Sequence, residues 1–162
     1  VKKWNLVSES VRTGKRIMLI GEYNHTVDAK GRVTIPAKFR SELGDRFVVT
    51  RGLEDCLSAY SFERWQRIEN NLKSISLTNK AGMKLTRLIM GNAIECEVDR
   101  MGRILITQAL RSKAGLIKDV VVVGLGDRIE IWDKDKWEQV NAPDAFDNMT
   151  DEELEKLEGL EL

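Results

Sequence analysis

Residues 27–35 of the chain read VDAKGRVTI, and residues 98–106, which lie 71 positions later, read VDRMGRILI. The same spacing relates Arg40 to Arg111. Beyond one inserted residue that we place near position 117, the spacing becomes 72, at the pairs Val48/Val120, Gly52/Gly124 and Trp65/Trp137. Two copies of so short a unit predict that neither copy buries a full core alone and that together they form a pseudo-twofold body.

Charge is unevenly distributed along the chain. The 162 residues include 26 basic and 26 acidic side chains, for a formal net charge of zero. Residues 143–162, the acidic tail, carry a net charge of −7, and the rest of the chain therefore carries +7. A local field matters more to a polyanion than the total charge does. Charge alone leaves two interpretations: a basic body that binds nucleic acid, or an ordinary domain with a solvated acidic tail.

Several classes of protein are disfavoured. Cys56 and Cys96 stand apart without a CxxC pair, and His25 is the one histidine, so we expect buried, reduced cysteines of a cytoplasmic protein and no metal site. No apolar run approaches the roughly 20 residues that span a bilayer, so we expect no membrane association. The chain has no GxSxG, P-loop, GxGxxG or HExxH motif. We therefore expect no enzyme, no cofactor and no small-molecule substrate.

Each copy reads as strand, turn, strand, short helix, two strands and closing helix. In the first copy, Pro36 as the first helical residue and Gly44 as a left-handed C-cap predict a helix over residues 37–43. Thr107 and Gly115 bracket the equivalent helix of the second copy. The closing helices begin after the caps Ser61 and Asp133 and carry Trp65 and Trp137, which we interpret as core anchors and not as ligand stackers.

These patterns divide the chain into five segments. We predict an N-terminal extension at 1–17, a first repeat at 18–74, a helical connector at 75–91, a second repeat at 92–142 and the acidic tail at 143–162. Met18 stands where an initiator methionine would fit, at the first residue of the organised sequence. In the tail, Thr150 and Glu153 have the spacing of a capping box before a short helix.

The repeated Asp-x-x-Gly-Arg motif contains the candidate functional groups of each copy, a carboxylate and a guanidinium. It places Asp28 and Arg32, and likewise Asp99 and Arg103, four residues apart across a tight turn. One interpretation is structural, since exposed ion pairs of this kind stabilise a fold by about 0–1 kcal/mol. The other is DNA binding, because residues 28–40 and 99–113 each have a net charge of +3. Arginine grips phosphate bidentately and also reads the O6 and N7 atoms of guanine.

Residues 21–32, GEYNHTVDAKGR, and residues 35–40, IPAKFR, closely resemble the MraZ family, bacterial transcriptional regulators of the division and cell wall gene cluster. The resemblance extends to residues 99–103, Arg111 and the run IEIW at 129–132. It implies an α+β fold with a mainly β core, in which two tandem swapped-hairpin repeats, like those of AbrB-type regulators, form an intramolecular pseudo-twofold β-barrel with flanking helices.

The resemblance also implies a function and a set of residues. It implies a homo-oligomeric ring that lies on the nucleoid and binds double-stranded promoter DNA containing short repeats, including the promoter of the chain's own operon. The residues carried over as DNA-binding are Asp28, Lys30, Arg32, Lys38, Arg40, Asp99, Arg100, Arg103 and Arg111. The competing hypothesis is an AbrB-like antitoxin or protein-interaction module whose acidic tail occupies a partner.

Overall fold

The computed structural model describes residues 19–161, so the predicted extension at 1–17 and Met18 lie outside the described residues. The fold is mixed α+β. Its elements, in chain order, are β1 (Leu19–Thr26), β2 (Arg32–Thr34), α1 (Ala37–Leu43), β3 (Arg46–Arg51), β4 (Leu57–Tyr60), α2 (Phe62–Lys73), α3 (Lys80–Met90), β5 (Ile94–Glu97), β6 (Arg103–Leu105), α4 (Gln108–Ala114), β7 (Asp119–Gly126), β8 (Ile129–Asp133), α5 (Lys134–Val140) and α6 (Asp151–Glu155).

Strand pairing joins the two repeats throughout. Six strands form an antiparallel sheet in the order β1-β7-β8-β4-β3-β5, and β2 pairs with β6 in a separate two-stranded ribbon. The first strand of each repeat pairs with the third strand of the other repeat, as β1 with β7 and β5 with β3. The first strand of each repeat therefore finds its hydrogen-bonding partner in the other repeat, as expected for so short a duplicated unit.

The sheet order is symmetric under exchange of the two repeats. At the centre of the ribbon, Val33 lies opposite Ile104, its own counterpart 71 residues away. At the centre of the sheet, Ser58 of β4 lies opposite Glu130 of β8, which is 72 residues away. These two self-pairings mark a pseudo-twofold axis that passes through both layers, as the duplication predicts.

The closed barrel that the resemblance implies is not confirmed. The strand order has two ends, β1 and β5, so the described residues form an open sheet with a ribbon beside it. Within the described residues, β1 pairs with β7 along one edge and β5 pairs with β3 along one edge.

The spacing between the repeats differs from the sequence prediction at the third strands. Cys96 pairs with Phe47 and His25 pairs with Val120, so the equivalent of Phe47 is Val120, at a spacing of 73. Val48 therefore corresponds to Val121, and the predicted pairs Val48/Val120 and Gly52/Gly124 are wrong. The connection before β7 is two residues longer than the connection before β3, which raises the spacing from 71 to 73. The β7–β8 hairpin is then one residue shorter than the β3–β4 hairpin, so the spacing between β4 and β8 is 72.

One apolar core lies between the sheet and the ribbon, and it draws on both repeats. Val33 and Ile104 of the ribbon are fully buried, as are Phe39 of α1 and Val120 of β7. Tyr23 packs edge-on against Phe39, with the ring centroids 5.2 Å apart. Residues 47–50 of β3 are all buried. Phe47 and Val49 belong to this core, whereas Val48 and Thr50 point to the opposite face of the sheet, where α3 packs, because successive side chains point to opposite faces.

The predicted helix boundaries are largely confirmed. Helix α1 spans residues 37–43, although Pro36 is its N-cap and not its first residue, and Gly44 ends it at a φ of +85°. The hydroxyl of Thr107 caps α4 by accepting from the N–H of Leu110, and Gly115 ends α4 in the left-handed conformation. The predicted caps Ser61 and Asp133 and the capping box at Thr150 are all present.

The closing-helix tryptophans are half-buried on the outer face of the sheet, and not within the main core. Trp137 packs against Trp132, with ring centroids 5.9 Å apart, in a smaller cluster around Cys56 and Val121. Trp65 lies beside Tyr60 at 6.2 Å. Cys56 and Cys96 are buried and unpaired, as predicted. Within residues 19–161, no helix is both long and apolar enough to cross a membrane.

Candidate nucleic-acid interface

The first Asp-x-x-Gly-Arg turn is organised by the carboxylate of Asp28. Its Oδ1 accepts hydrogen bonds from the backbone N–H groups of Lys30 and Arg32, both at 2.9 Å. Its Oδ2 accepts from the Nε of Arg32 at 2.6 Å. The Gly31 N–H closes the turn on the carbonyl of Asp28, and Gly31 adopts a φ of +87°, which favours glycine. The carboxylate thus fixes both the turn and the direction of the arginine.

The second turn has the same geometry. Asp99 Oδ1 accepts from the N–H groups of Met101 and Arg103 at 2.9 Å each, and its Oδ2 accepts from the Nε of Arg103 at 2.9 Å. Gly102 has a φ of +78°. Met101 occupies the position of Lys30 in the second turn, and the backbone conformation is the same, because the aspartate accepts a hydrogen bond only from the backbone N–H at this position.

These hydrogen bonds stabilise the charged carboxylates. The backbone N–H of Arg32, then the Arg32 guanidinium and the N–H of Lys30, lower the pKa of the Asp28 carboxyl to about 2. The N–H of Arg103, then its guanidinium and the N–H of Met101, lower the pKa of Asp99. Both carboxylates are therefore ionised near neutral pH, and each guanidinium keeps its other nitrogens available for an external acceptor.

The short antiparallel β2–β6 ribbon joins the two turns, which lie at its opposite ends. The carbonyl of Gly102 accepts from the N–H of Ile35 at 2.8 Å, and the carbonyl of Gly31 accepts from the N–H of Ile106 at 3.0 Å. An Nη of Arg103 lies 3.8 Å from the Oδ2 of Asp28, so an ion pair crosses from one repeat to the other. The two motifs form one surface, which we call the paired-turn surface.

Each turn is covered by an arginine from the helix of the other repeat. The guanidinium of Arg111, on α4, lies directly over Gly31, where an added Cβ would be 2.7 Å from its Cζ. The guanidinium of Arg40, on α1, lies over Gly102, and the corresponding distance is also 2.7 Å. The Nε of Arg40 is buried and has no hydrogen-bond partner among the described residues. Glycine is required at both turns for its φ and for this close approach.

The predicted site residues fall into three groups. The structure brings together Asp28, Arg32, Arg40, Asp99, Arg103 and Arg111 within the paired-turn surface. Lys30 and Arg100 are exposed at the tips of the two turns. Lys38 is exposed on α1 and forms no hydrogen bond or ion pair with a described residue of either turn.

Two polar residues that sequence reasoning missed lie beside the first turn. Gln108 and Ser112 of α4 line, with Asp28 and Arg111, an open cleft of about 370 Å³. Their spacing of four places them on one helix face, next to Arg111. The spacing is visible in the sequence, but the sequence does not indicate which helix lies over the first turn.

The cysteines and the histidine of the described residues were the remaining candidates for metal binding or nucleophilic attack. Residues 19–161 contain no group of three or more histidine, cysteine, aspartate or glutamate side chains arranged to hold a metal ion. Burial raises the pKa of the Cys56 thiol to about 12 and that of Cys96 to about 11. Burial also lowers the pKa of His25. Neither thiol is poised as a nucleophile, since the thiolate is the reactive form.

The duplication itself matches a known family. Residues 18–88 and residues 89–158 each match the family described as "MraZ protein, putative antitoxin-like". The chain belongs to the MraZ family. The two MraZ matches meet at residues 88 and 89, in the last turn of α3, and each contains one Asp-x-x-Gly-Arg turn.

Relatives in the MraZ family are similar over most of their length. "Transcriptional regulator MraZ" of Thermoanaerobacter pseudethanolicus is 51% identical over 140 residues, which cover 86% of this chain and 94% of the relative. The protein of the same name from Caldanaerobacter subterraneus is 52% identical over 75% of this chain and 85% of its own. That of Ligilactobacillus salivarius is 47% identical over 85% of this chain and 100% of its own.

Proposed function

We propose that this chain is a sequence-specific DNA-binding transcriptional regulator that binds through the paired-turn surface. The observation that carries the proposal is the pair of arginines, Arg32 and Arg103, each aimed by its own aspartate and held on one surface. The relatives' name, transcriptional regulator, supports the same function. Membership of this family also favours a regulator over an enzyme.

The cations on and around the paired-turn surface fall into three classes with different tasks in this proposal. Arg32 and Arg103 are oriented by short hydrogen bonds, so they lose little conformational freedom on binding and serve to contact base edges or to grip a phosphate bidentately. Lys30, Lys38 and Arg100 are exposed, and they serve as contacts to the DNA backbone that fix the register. Arg40 and Arg111 couple the turns, because each belongs to one repeat and covers the turn of the other.

Assembly into a homo-oligomeric ring completes the proposed mechanism. The chain as a whole is neutral, so one paired-turn surface gives modest affinity. Several copies in one ring would bind repeated sites in the same DNA at once. After one copy has bound, its neighbours are held close to the next site at a high effective concentration, which raises the total affinity. We propose that the target is promoter DNA with short direct repeats, upstream of the chain's own division and cell wall operon, and that the protein acts in the cytoplasm at the nucleoid.

The test is binding of the purified chain to a labelled fragment of the DNA upstream of its own gene. A fragment of the same length and composition in scrambled order is the control. We expect tighter binding to the upstream fragment at every salt concentration tested, with at least about tenfold preference at physiological ionic strength. Equal affinity for the two fragments would contradict sequence-specific regulation. A basic partner co-purifying in stoichiometric amount would support the antitoxin hypothesis in its place.

A further inference from the structure

The acidic tail ends in a segment, residues 150–161, in which every residue is exposed. Every residue of α6 is exposed, as are Leu157 and Leu160 beyond it. The apolar side chains Leu154 and Leu157 are 40% and 39% exposed, on a segment dominated by carboxylates. The described hydrogen bonds and ion pairs of residues 145–161 all stay within residues 142–160. An acidic helix with an apolar stripe is thus left without a partner.

Helix α3 has the complementary character. Lys80, Lys84 and Arg87 share one face of this helix, because they follow the helical spacing of four and three. All three are exposed, and none forms an ion pair with a described residue. No acidic residue occurs from position 70 to position 94. Leu85, which is 38% exposed, lies about 100° round the helix from Lys84, at the border between this stripe and the cleft that it lines with Leu72 and Ile89. We call Lys80, Lys84 and Arg87 the basic face of α3.

The duplication explains why these two helices are related and yet different. Helix α6 begins 71 residues after α3, within one residue of the spacing of 72 that relates β4 to β8, so the two helices occupy equivalent places in their repeats. Helix α3 packs on the outer face of β3, where the Thr50 hydroxyl donates to the carbonyl of Ile89. The corresponding cleft beside β7 and α5 contains Glu22 and Glu138 against Lys134. These two carboxylates repel an acidic helix, so α6 is unsuited to the position that its counterpart occupies.

The basic face of α3 and the start of the acidic tail lie at opposite ends of the sheet. Helix α3 packs on β3, next to the end strand β5, whereas the tail leaves α5 at Pro143, beside Glu22 and Asn24 of the end strand β1. At about 4.8 Å per strand, roughly 20 Å of sheet separates β1 from β3. Two different, complementary patches at opposite ends of one molecule favour a head-to-tail contact, which closes into a ring when the rotation permits.

We infer that the acidic tail of one copy docks on the basic face of α3 of the next copy. In this contact, Leu154 and Leu157 pack against Leu85, while the tail carboxylates meet Lys80, Lys84 and Arg87. The contact rests on the self-assembly in the proposed function and names the surfaces that would make it. It leaves the paired-turn surface free, because both of its components lie outside the β2–β6 ribbon and the two turns.

The test uses two full-length variants that report only on contacts between copies. One carries Leu85→Cys and the other Leu154→Cys, and a short bismaleimide links thiols that approach each other. We expect a linked dimer when the two variants are mixed and much less when either is treated alone. The buried thiols of Cys56 and Cys96 are shared by both samples and serve as the background. A mixture that gives no more product than the separate variants would overturn the contact.

Charge reversal supplies the independent readout. We expect Lys80→Glu/Lys84→Glu/Arg87→Glu to weaken assembly at least about tenfold in light scattering, and Glu152→Lys/Glu155→Lys/Glu158→Lys to restore it when combined. Circular dichroism checks that each variant is folded. Unchanged assembly of the α3 variant would overturn this inference and leave the proposed function standing. A wild-type chain that stays monomeric would overturn both the contact and the proposed assembly, while DNA binding of the same sample is scored separately.

Discussion

At Gly31, a positive φ and the close approach of the Arg111 guanidinium both favour glycine. Gly31→Ala strains a φ of +87° and also displaces the Arg111 guanidinium, whereas Gly126→Ala strains a φ of +89° with no atom within 4 Å of the new Cβ. We expect each substitution to cost about 1–2 kcal/mol of unfolding free energy, measured by urea denaturation. Only Gly31→Ala should also weaken DNA binding. Equal DNA affinities of the two variants would show that Arg111 has no role at the turn.

Asp28 makes stability depend on pH in a defined direction. Its pKa in the folded chain, about 2, lies below the ordinary value of 3.8, so folding favours the ionised form. The resulting stabilisation is fully present above pH 4–5 and is lost as pH falls from about 4 through 2. We therefore expect Asp28→Asn to be less stable than wild type at neutral pH, with a difference that shrinks below about pH 4. Asp147→Asn, in the exposed tail, is the matched control.

At the scale of elements, the cap of α4 determines how firmly Arg111 is positioned. The Thr107 hydroxyl accepts from the N–H of Leu110 at 3.3 Å, whereas the N-cap of α1, Pro36, offers no side-chain hydrogen bond. Thr107→Ala should lower the free energy of unfolding by about 1 kcal/mol, and Thr107→Ser should keep most of it. Urea denaturation followed by circular dichroism measures both. A Thr107→Ser variant as unstable as Thr107→Ala would indicate that the methyl group, and not the cap, is responsible.

Local signals predicted the elements well because caps act over a few residues. The helix over residues 37–43 and the caps Thr107, Ser61 and Asp133 follow from side-chain chemistry within one turn. The register of β7 was not readable, since residues 120–123 are four consecutive valines with no alternation to mark the buried face. The sequence predicted the duplicated Asp–Arg pairs of the site. It did not indicate that Arg40 and Arg111 cross between repeats, because this depends on which strands pair over long range.

At the scale of the whole molecule, the shared core predicts that the two repeats unfold together. Ile104 is fully buried at the pseudo-twofold axis, opposite Val33. Ile104→Ala should destabilise the chain by about 2–5 kcal/mol. We expect a single transition, with circular dichroism and tryptophan fluorescence coinciding, because the strands of each repeat are paired with those of the other. Two separated transitions would mean that one repeat is stable alone and would contradict the shared core.

The most direct test of the paired-turn surface is a salt titration of DNA affinity, by fluorescence anisotropy on the upstream fragment. Arg32→Ala and Arg103→Ala are compared with Arg67→Ala, whose guanidinium pairs with Glu63 on the outer helix α2. We predict that each turn variant loses affinity by about 1–3 kcal/mol if its arginine reads a base, or lowers the salt slope by about one if it grips a phosphate. Arg67→Ala should match wild type. Turn variants that stay folded and bind DNA with unchanged affinity and salt slope would contradict DNA binding by this surface.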